Sequence, residues 1–532
     1  MRSRMIARNL LSLGGSVALF TVLGCGGELI VSEGAPNTGG EPADDAEDGE
    51  AGAVSTDAAG GAGGEGGTGW ADAGEPLVEP RTGGAPSTTG CGMEPLQLLI
   101  DGHDLIPGYD APADPAVDEL LERMTLDQKI AQMQGVPDWE RRNYEDIMRS
   151  ADSPNVAGQT LRGLRYRDGA KGVNLDAGQD NRPDDGANYS THFPAPSLRA
   201  ASWDLELEWR VGRAMGDETA ASLNNVLLAP CVNVLRHPFW GRAQESYGED
   251  SHLIGRMAAA FTAGLQQHVM GCATHFAANN IEKGRASQDA IMTEQSLRES
   301  YGRHFEMVIR DGGVGCVMAS YNRINGVKST QNAHLLTTVL REPYESGGMG
   351  FRGLVLSDWW AMPGDQSVPD AATAQAVAIE ALRAGLDVEL PWPLHYEQLA
   401  AAAAADPSLT TFIDASARRV LEQKFRFGTA FDTDPWSVQP PTTRLEGGSI
   451  AGNEAHLELA EEVALKSAVL LTNGAPGAPV LPLTAAPTIA VVGIDQDFTL
   501  VSSSVPTSCT SDEDTSQDTT NSRECTFHFA TD

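Results

Sequence analysis

The sequence lacks the marks of several large classes of protein. Its 532 residues contain 37 lysines and arginines against 73 aspartates and glutamates, so the basic surface that nucleic-acid binding needs is absent. It has no glycine-rich loop followed by Lys and Ser or Thr, which a P-loop nucleotide site requires. It also has no HExxH motif or His/Cys cluster typical of catalytic zinc, and no GxSxG elbow. We therefore expect no nucleic-acid partner, no metal and no cofactor.

The N-terminus combines basic residues with an apolar run that is too short to span a membrane. Three arginines within the first eight residues precede the uncharged residues 9–24, and a bilayer needs roughly 20 apolar residues. The sequence from Val22 to Cys25 resembles the bacterial lipobox, in which the cysteine is lipidated. We predict that residues 1–25 are a lipoprotein signal peptide, the alternative being a plain signal peptide. The expected protein is exported and touches the membrane only through a lipid anchor, in the periplasm or on the cell surface, and is otherwise secreted.

The seven cysteines indicate different environments. Cys231, Cys272 and Cys316 lie inside apolar runs, which predicts buried thiols. Cys509 and Cys525 flank an acidic loop and could pair in an oxidising compartment.

The net charge of −36 is concentrated in segments with little apolar periodicity. Residues 26–90 contain 13 acidic residues and one basic residue, and residues 495–532 contain eight and one. Such segments cannot bury enough apolar surface to offset the entropy lost on ordering. We predict that residues 26–95 are a disordered tether rich in Gly, Asp and Glu.

From residue 113 onward, strand-like apolar runs alternate with amphipathic helical patterns. Helices are predicted at 205–223, 297–308, 371–384, 396–404 and in FIDASARRVLEQKFRFG. Alternation of this kind predicts an α/β fold with a parallel sheet covered by helices. Because seven or eight repeats are present, we predict a closed (β/α)8 TIM-like barrel over residues 96–430.

Polar or aromatic residues end nearly every predicted strand. They are Asp168, Arg242, His275, Tyr321, Asp358 and Asp387. In a barrel the carboxyl ends of the strands converge on one mouth, so these side chains are expected to form one pocket.

The stretch around Asp358 carries the strongest chemical signal. A carboxylate that follows an apolar strand and precedes Trp359 and Trp360 is costly to bury. Taken alone, it could be a cap of the following turn. Carboxylates, a guanidinium and flat aromatic faces together suit the hydroxyl groups and C–H faces of sugars, so the pocket predicts a carbohydrate substrate.

A second unit is predicted after a Pro-rich linker at 431–450. It begins with a helix at 457–468, a strand-like VALKSAVLLTN (463–473) and a strand TIAVVGI (488–494). Residues 451–532 are few for an independent domain, so we expect an incomplete α/β sandwich.

Nine stretches in order over residues 113–429 resemble the N-terminal barrel domain of glycoside hydrolase family 3. They are RMTLDQKIAQM, RDGAKGV, FPAPSLRAASWD, LLAPCVNVLRHPFWGRAQESYGED, THFAANN, VMASYNRINGV, HLLTTVLR, GFRGLVLSDWW and AGLDVELP. The residues from 460 onward resemble the start of the family's second domain. The resemblance implies a retaining, exo-acting β-glycosidase of the β-glucosidase type, which removes terminal β-D-glucosyl residues.

The resemblance also implies roles for individual residues. Asp358 matches the nucleophile. Asp168, Arg242, His275 and Tyr321 match the terminal-sugar subsite, and Trp359 the adjoining one. Thr274 is a substrate-binding position at which the family normally has lysine.

The general acid/base has no candidate among these residues. In β-glucosidase-like members it is a glutamate of the second domain, which is expected beyond residue 532. The branch that uses a His/Asp pair is disfavoured because the loop AANNIEKGRASQD contains no histidine. For Glu245 and Glu249, ion pairs around Arg242 are the favoured interpretation.

Three alternatives remain open at the level of sequence. One is β-xylosidase specificity, and another is a surface lipoprotein that binds sugars with impaired or no catalysis. The third is a frameshifted fragment that folds poorly.

Overall fold

A computed structural model of the chain describes residues 115–136, 148–156, 158–174, 190–222, 224–364, 370–428, 453–474, 477 and 479–481. The predicted signal segment with Cys25, the 26–95 tether, the 431–450 linker, the 488–494 strand and the pair Cys509 and Cys525 lie outside these residues. Within the described ranges, no helix is both long and apolar enough to cross a bilayer.

Helices and strands alternate along the chain. The α-helices are α1 (Pro115–Arg123), α2 (Leu126–Ala131), α3 (Pro196–Ala200), α4 (Leu205–Ala221), α5 (Ser251–Leu265), α6 (Glu294–Glu299), α7 (Arg303–Arg310), α8 (Ala371–Ala384), α9 (Leu399–Ala405), α10 (Leu409–Arg426) and α11 (Glu454–Ser467). The strands are β1 (Ser153–Val156), β2 (Gln159–Leu161), β3 (Tyr166–Asp168), β4 (Val226–Leu228), β5 (Met270–Phe276), β6 (Asp289–Ala290), β7 (Cys316–Ala319), β8 (Arg323–Ile324), β9 (Val327–Lys328) and β10 (Leu354–Ser357). Short 3₁₀ turns occur at Ala243–Glu245, Ser329–Gln331, Tyr344–Ser346 and Tyr396–Gln398, and a π-helical turn at His334–Val339.

Five strands form one parallel sheet in the order β10-β7-β5-β4-β3. Single parallel bridges beyond β10 join Leu356 to Val388 and Gln134 to Glu389, and antiparallel bridges join Gly135 to Ser150 and Arg149 to Arg165. The parallel α/β fold predicted from the alternation is thereby confirmed. Because the five strands run in one direction, their carboxyl ends share one edge of the sheet.

A second, smaller sheet joins the loops that follow β5 and β7. Its order is β6-β8-β9, with Asp289 paired to Arg323 and Arg323 paired to Lys328. It links two loops that leave the carboxyl edge of the large sheet.

Helices α4 and α5 pack so closely that glycine is required where they meet. A Cβ atom on Gly212 would lie 2.1 Å from the carbonyl oxygen of Phe261. One on Gly264 would lie 2.0 Å from the carbonyl oxygen of Trp209. Any larger residue at either position would force the helices apart and open voids in a close-packed interior.

Two local predictions differ from the structure. The helix predicted at 297–308 is divided into α6 and α7 around Gly302, where a Cβ would lie 2.9 Å from the carbonyl oxygen of Leu297.

The prediction of a strand at 463–473 is wrong, since Val463 to Ser467 complete α11 and residues 468–473 form no strand. Val463 lies one turn after Leu459 on the buried face of this helix, so helical spacing prevailed over β-propensity. The helix predicted at 371–384 is confirmed as α8.

The prediction of three buried thiols is correct for Cys231 and wrong for the other two residues. Cys231 is buried and unpaired, whereas Cys272 and Cys316 form a disulfide bond. They are direct neighbours across β5 and β7, with their Cα atoms 4.3 Å apart. Because 44 residues separate them in sequence, only the pairing register brings them together.

Asp387 does not lie at the carboxyl edge of the sheet, contrary to the prediction. Its Oδ2 accepts a hydrogen bond from the amide of Val355, near the start of β10, at 2.8 Å. Arg341 and Arg419 both donate to the same carboxylate. Asp387 precedes its bridge to β10 at Val388, so it belongs to the opposite end of the sheet and binds two arginines there.

Helix α11 packs against α4 through a mixed apolar and charged contact. Leu459 and Val463 join the apolar cluster that contains Leu207 and Val211. His456 Nδ1 lies 2.7 Å from Oε1 of Glu218. The helix that the sequence assigned to a second unit is therefore held against the parallel α/β fold.

We expect alkaline pH to loosen α11. Burial lowers the pKa of His456, but hydrogen bonds and charge from Asp217 and Glu218 outweigh burial and raise it from 6.5 to about 9. The stabilising ion pair is complete below the unfolded pKa of 6.5 and is lost as the pH rises through about 9. Hydrogen exchange of residues 454–467 should accelerate between neutral pH and about pH 10, beyond the intrinsic base catalysis.

Two further polar groups contact the same carboxylates. His268 Nε2 lies 3.2 Å from Asp217, and the hydroxyl of Thr191 donates to Glu218 at 2.6 Å. A His456→Gln variant should show weaker protection at neutral pH and no further loss on alkalinisation. Equal protection of the wild-type helix at both pH values would contradict the prediction.

Candidate active site

Asp358 is positioned by the ends of two adjacent strands. It follows β10 directly, and its amide donates to the carbonyl of Ala319, the last residue of β7, at 3.0 Å. Its Oδ1 accepts a hydrogen bond from the amide of Trp359 at 2.7 Å, and the residue is 7% exposed. The carboxylate is thus fixed by the backbone, with Oδ2 3.6 Å from Nε2 of His275.

His275 is a neutral imidazole with its proton on Nδ1. Nη1 of Arg242 lies 2.8 Å from Nε2, and because a guanidinium only donates, Nε2 must accept. Nδ1 therefore donates to Oδ1 of Asn233 at 3.0 Å. Burial, Arg242 and Arg285 lower the pKa of His275 well below 6.5. Nε2 therefore carries no proton, so its 3.6 Å approach to Oδ2 of Asp358 is not an ion pair.

Burial dominates the electrostatics of Asp358. It raises the pKa of the carboxyl from 3.8, while Arg285, Arg242, the amide of Trp359 and the hydroxyl of Tyr321 lower it, which leaves a pKa of about 6. The expected ionised carboxylate is therefore the main form at neutral pH. It is less acidic than an exposed aspartate because its neighbours do not fully replace water.

Two arginine–glutamate pairs surround the carboxylate. Arg242 donates to both oxygens of Glu245, at 3.0 and 2.7 Å, which confirms the ion-pair interpretation of this glutamate. Arg285 donates to Glu282 at 2.6 Å, and its guanidinium lies 4.0 Å from the ring centre of Tyr321. Each arginine is held by its glutamate, so both positive charges have defined positions near Asp358. Glu249 is exposed.

Sequence reasoning missed Arg285 and Asn233. Arg285 lies in the loop after β5, and a basic residue in a loop at the carboxyl edge of the sheet was the available signal. Asn233 follows β4 by five residues and fixes the tautomer of His275. A lone asparagine in an apolar run gave no comparable signal, because its partner is 42 residues away.

Asp168 and Thr274 lie at the same edge of the sheet, in different surroundings. Asp168 ends β3 and is two residues from Tyr166, so both side chains leave the same face of the strand. Thr274 is buried in β5, and its hydroxyl hydrogen-bonds the thiol of Cys231. Burial raises the pKa of that thiol to about 12, so Cys231 stays protonated.

The two tryptophans form separate aromatic contacts. Trp359 packs edge-on against Tyr166 with 5.8 Å between ring centres, and Trp360 packs against Trp392 at 5.0 Å. Trp359 is buried, and Trp360 is partly exposed beside it. In the described ranges, no three His, Cys, Asp or Glu side chains are grouped as a metal site.

The fold and the site together define a parallel α/β protein whose buried carboxylate, neutral imidazole and two arginines gather at the carboxyl edge of the sheet. The sequence model described as the glycosyl hydrolase family 3 N terminal domain matches residues 125–423. The chain belongs to glycosyl hydrolase family 3.

Similar proteins are described as β-glucosidases. Beta-glucosidase B of Emericella nidulans is 36% identical over 318 residues, which cover 58% of this chain and 33% of that protein. The beta-glucosidase of Rhizobium radiobacter is 32% identical over 376 residues, covering 68% and 41%. The structure of beta-glucosidase 3B from Thermotoga neapolitana in complex with alpha-D-glucose has a TM-score of 0.56 at 30% identity, covering 67% and 47%. The chain thus spans between a third and a half of the length of these relatives.

Proposed function

We propose that the protein is a retaining, exo-acting β-glycosidase of the β-glucosidase type, with Asp358 as the nucleophile. The observation that carries the proposal is the buried Asp358 carboxylate, oriented by a backbone amide and placed among Arg242, Arg285 and a neutral His275. Relatives described as β-glucosidases support the choice of a terminal β-D-glucosyl residue as substrate.

The reaction requires two displacements at the anomeric carbon. In the first, Oδ2 of Asp358 attacks, the bond to the aglycone oxygen breaks, and that oxygen takes a proton from an acid. In the second, water attacks the same carbon and gives a proton to the resulting base, and the ester to Asp358 breaks. The anomeric configuration is retained. A retaining mechanism needs an acid/base carboxyl about 5–5.5 Å from the nucleophile, and we assign it to no residue of this chain.

The neighbouring side chains would bind the terminal sugar. The carboxylate of Asp358 would accept a hydrogen bond from a sugar hydroxyl, while Arg242 and Tyr321 supply donors. Asp168 and Thr274 complete the proposed subsite, and Trp359 would cover the adjoining one.

The architecture and location of the whole protein belong to the same proposal. A series of bridges runs from β10 through residues 388–389, 134–135 and 149–150 to Arg165, the last two of them antiparallel. This series supports closure of the sheet into a (β/α)8 barrel. We further propose that the protein is exported, with Cys25 as a lipid anchor. An α/β sandwich domain would follow the barrel.

Trapping of the glycosyl-enzyme tests the function. Incubation with an aryl 2-deoxy-2-fluoro-β-glucoside should add one fluoroglucosyl group to the protein, because the fluorine slows both displacements and the good leaving group restores the rate of the first one only. Peptide mass spectrometry should place the group on Asp358, and Asp358→Ala should stay unlabelled. An adduct on another carboxylate, or none under conditions where the protein is folded, would refute the role of Asp358.

A sugar-binding protein without turnover is the second candidate, and one observation favours it. Glu245 and Glu282, the glutamates nearest to the two arginines, are both ion-paired, so neither is suited to donate a proton. Calorimetry with glucose, xylose and cellobiose separates the candidates. Binding without hydrolysis supports the second, and hydrolysis of aryl xylosides in preference to glucosides would indicate a β-xylosidase.

A further inference from the structure

A buried lysine links the two loops that carry Arg285 and Tyr321. Lys328 lies in β9 of the small sheet and is 9% exposed. Its Nζ donates to the carbonyl of Tyr321 at 2.8 Å and to that of Ala286 at 2.7 Å. One ammonium group therefore binds the backbone of the loop after β7 and the backbone of the loop after β5.

Both bound segments bear side chains that act on Asp358. Ala286 follows Arg285 directly, and Arg285 stacks on the ring of Tyr321 at 4.0 Å. Arg285 and the hydroxyl of Tyr321 are two of the groups that favour the ionised form of Asp358. The contacts of Lys328 and the stacking of Arg285 thus close a small ring of interactions beside the carboxylate.

We propose that Lys328 is a positioning residue, whose ammonium group holds these two loops so that Arg285 and Tyr321 stay against Asp358. This inference rests on the proposed function. Charge-assisted hydrogen bonds to carbonyls are stronger than neutral ones, and loss of the ammonium group deprives both carbonyls of this donor. The backbone segments would then relax, and the side chains that they carry would shift.

The other half of the site does not depend on Lys328. Arg242 is held by Glu245, and His275 is held by Asn233. Among the described groups that act on Asp358, Arg285 and Tyr321 lie on the segments that Lys328 binds, whereas Arg242 and His275 do not. Loss of Lys328 should weaken the first pair selectively, which raises the pKa of Asp358 because less positive charge remains close to it.

The test compares Lys328→Met with Arg323→Met in the full chain. Arg323 is a cation of the same small sheet, paired to Lys328 across β8 and β9, but it is exposed. Lys328→Met should lower kcat/KM for an aryl β-glucoside by about 10- to 100-fold, since small misplacements of active-site groups have effects of this size. The acid limb of the pH profile should move upward by about half a pH unit or more. Arg323→Met should stay within about twofold of wild type.

Two further variants and a crystal structure distinguish positioning by Lys328 from a general loss of folding. Lys328→Arg, which retains donors, should recover part of the activity, and Lys328→Gln replaces the methionine variant if that one does not fold. A crystal structure of the variant should show Arg285 displaced from the ring of Tyr321. Activity and acid limb equal to wild type, or Arg285 still stacked in that structure, would overturn the inference. If wild type itself does not hydrolyse the glucoside, the proposed function fails, and the crystal structures alone decide the role of Lys328.

Discussion

Asp358→Asn should abolish hydrolysis and at the same time stabilise the protein. Loss of the proposed nucleophile should lower kcat for aryl β-glucosides by about 10⁴-fold or more, since an amide cannot form the glycosyl ester. Steady-state assays across a range of aryl leaving groups measure this loss.

The stabilisation follows from the raised pKa of Asp358. A carboxyl with a pKa of about 6 in the folded state and 3.8 in the unfolded state favours folding in its protonated form. Stability therefore falls as the pH rises from about 4 to about 6, and the ionised group costs on the order of 3 kcal/mol at neutral pH. An uncharged asparagine avoids this cost, so the Tm should rise by a few degrees at neutral pH. The gain should vanish near pH 4, where the native carboxyl is protonated as well.

Asp414→Asn is a suitable control for this variant. Asp414 is an exposed aspartate on α10 that pairs with Lys129, so its replacement should leave activity unchanged and stability nearly so. An Asp358→Asn variant that is inactive but less stable than wild type at neutral pH would contradict the account of the buried charge.

Glu208→Gln should destabilise the protein by about 3–5 kcal/mol, because it leaves a buried arginine without its counter-ion. Arg199 is 1% exposed, and its Nε and Nη2 donate to the carboxylate of Glu208 at 2.9 to 3.1 Å. The hydroxyl of Tyr247 donates to the same carboxylate at 2.7 Å. Chemical denaturation of purified wild type and variant measures the difference.

Glu462→Gln provides the matched comparison. Glu462 also pairs with an arginine, Arg210, through two hydrogen bonds, but both side chains are about one third exposed. This surface pair should contribute less than about 1 kcal/mol. Similar losses for Glu208→Gln and Glu462→Gln would show that burial does not govern the strength of these pairs here.

The fold class and much of the candidate site could be predicted from the sequence. Apolar runs that alternate with helical patterns identified the parallel sheet, and the residue that follows each run was a good guide to its carboxyl end. Asp358 and His275 were found in this way, and in the structure Oδ2 of Asp358 lies 3.6 Å from Nε2 of His275.

The errors concern properties that depend on register and loop path. Asp387 has the same sequence context as Asp358, a short apolar run beside a carboxylate. However, Asp387 comes before Val388, the residue that pairs with β10, whereas Asp358 comes after the last residue of β10. The partnership of Cys272 and Cys316 depends on which residues of β5 and β7 face each other, which hydrophobic spacing does not encode. Arg285 reaches the site through a loop, and its course is set by contacts such as those of Lys328.

The docking of α11 determines where the remainder of the polypeptide begins. Leu459, Val463 and His456 hold this helix on the flank of α4, so Ser467 occupies a defined point beside the parallel α/β fold. A domain that continues from Ser467 starts from that point and in the direction of the helix axis, whatever the length of the segment at 431–450. The distance that such a domain can cover toward Asp358 is then set by the few residues after Ser467. Lengthening the segment at 431–450 would leave that distance unchanged.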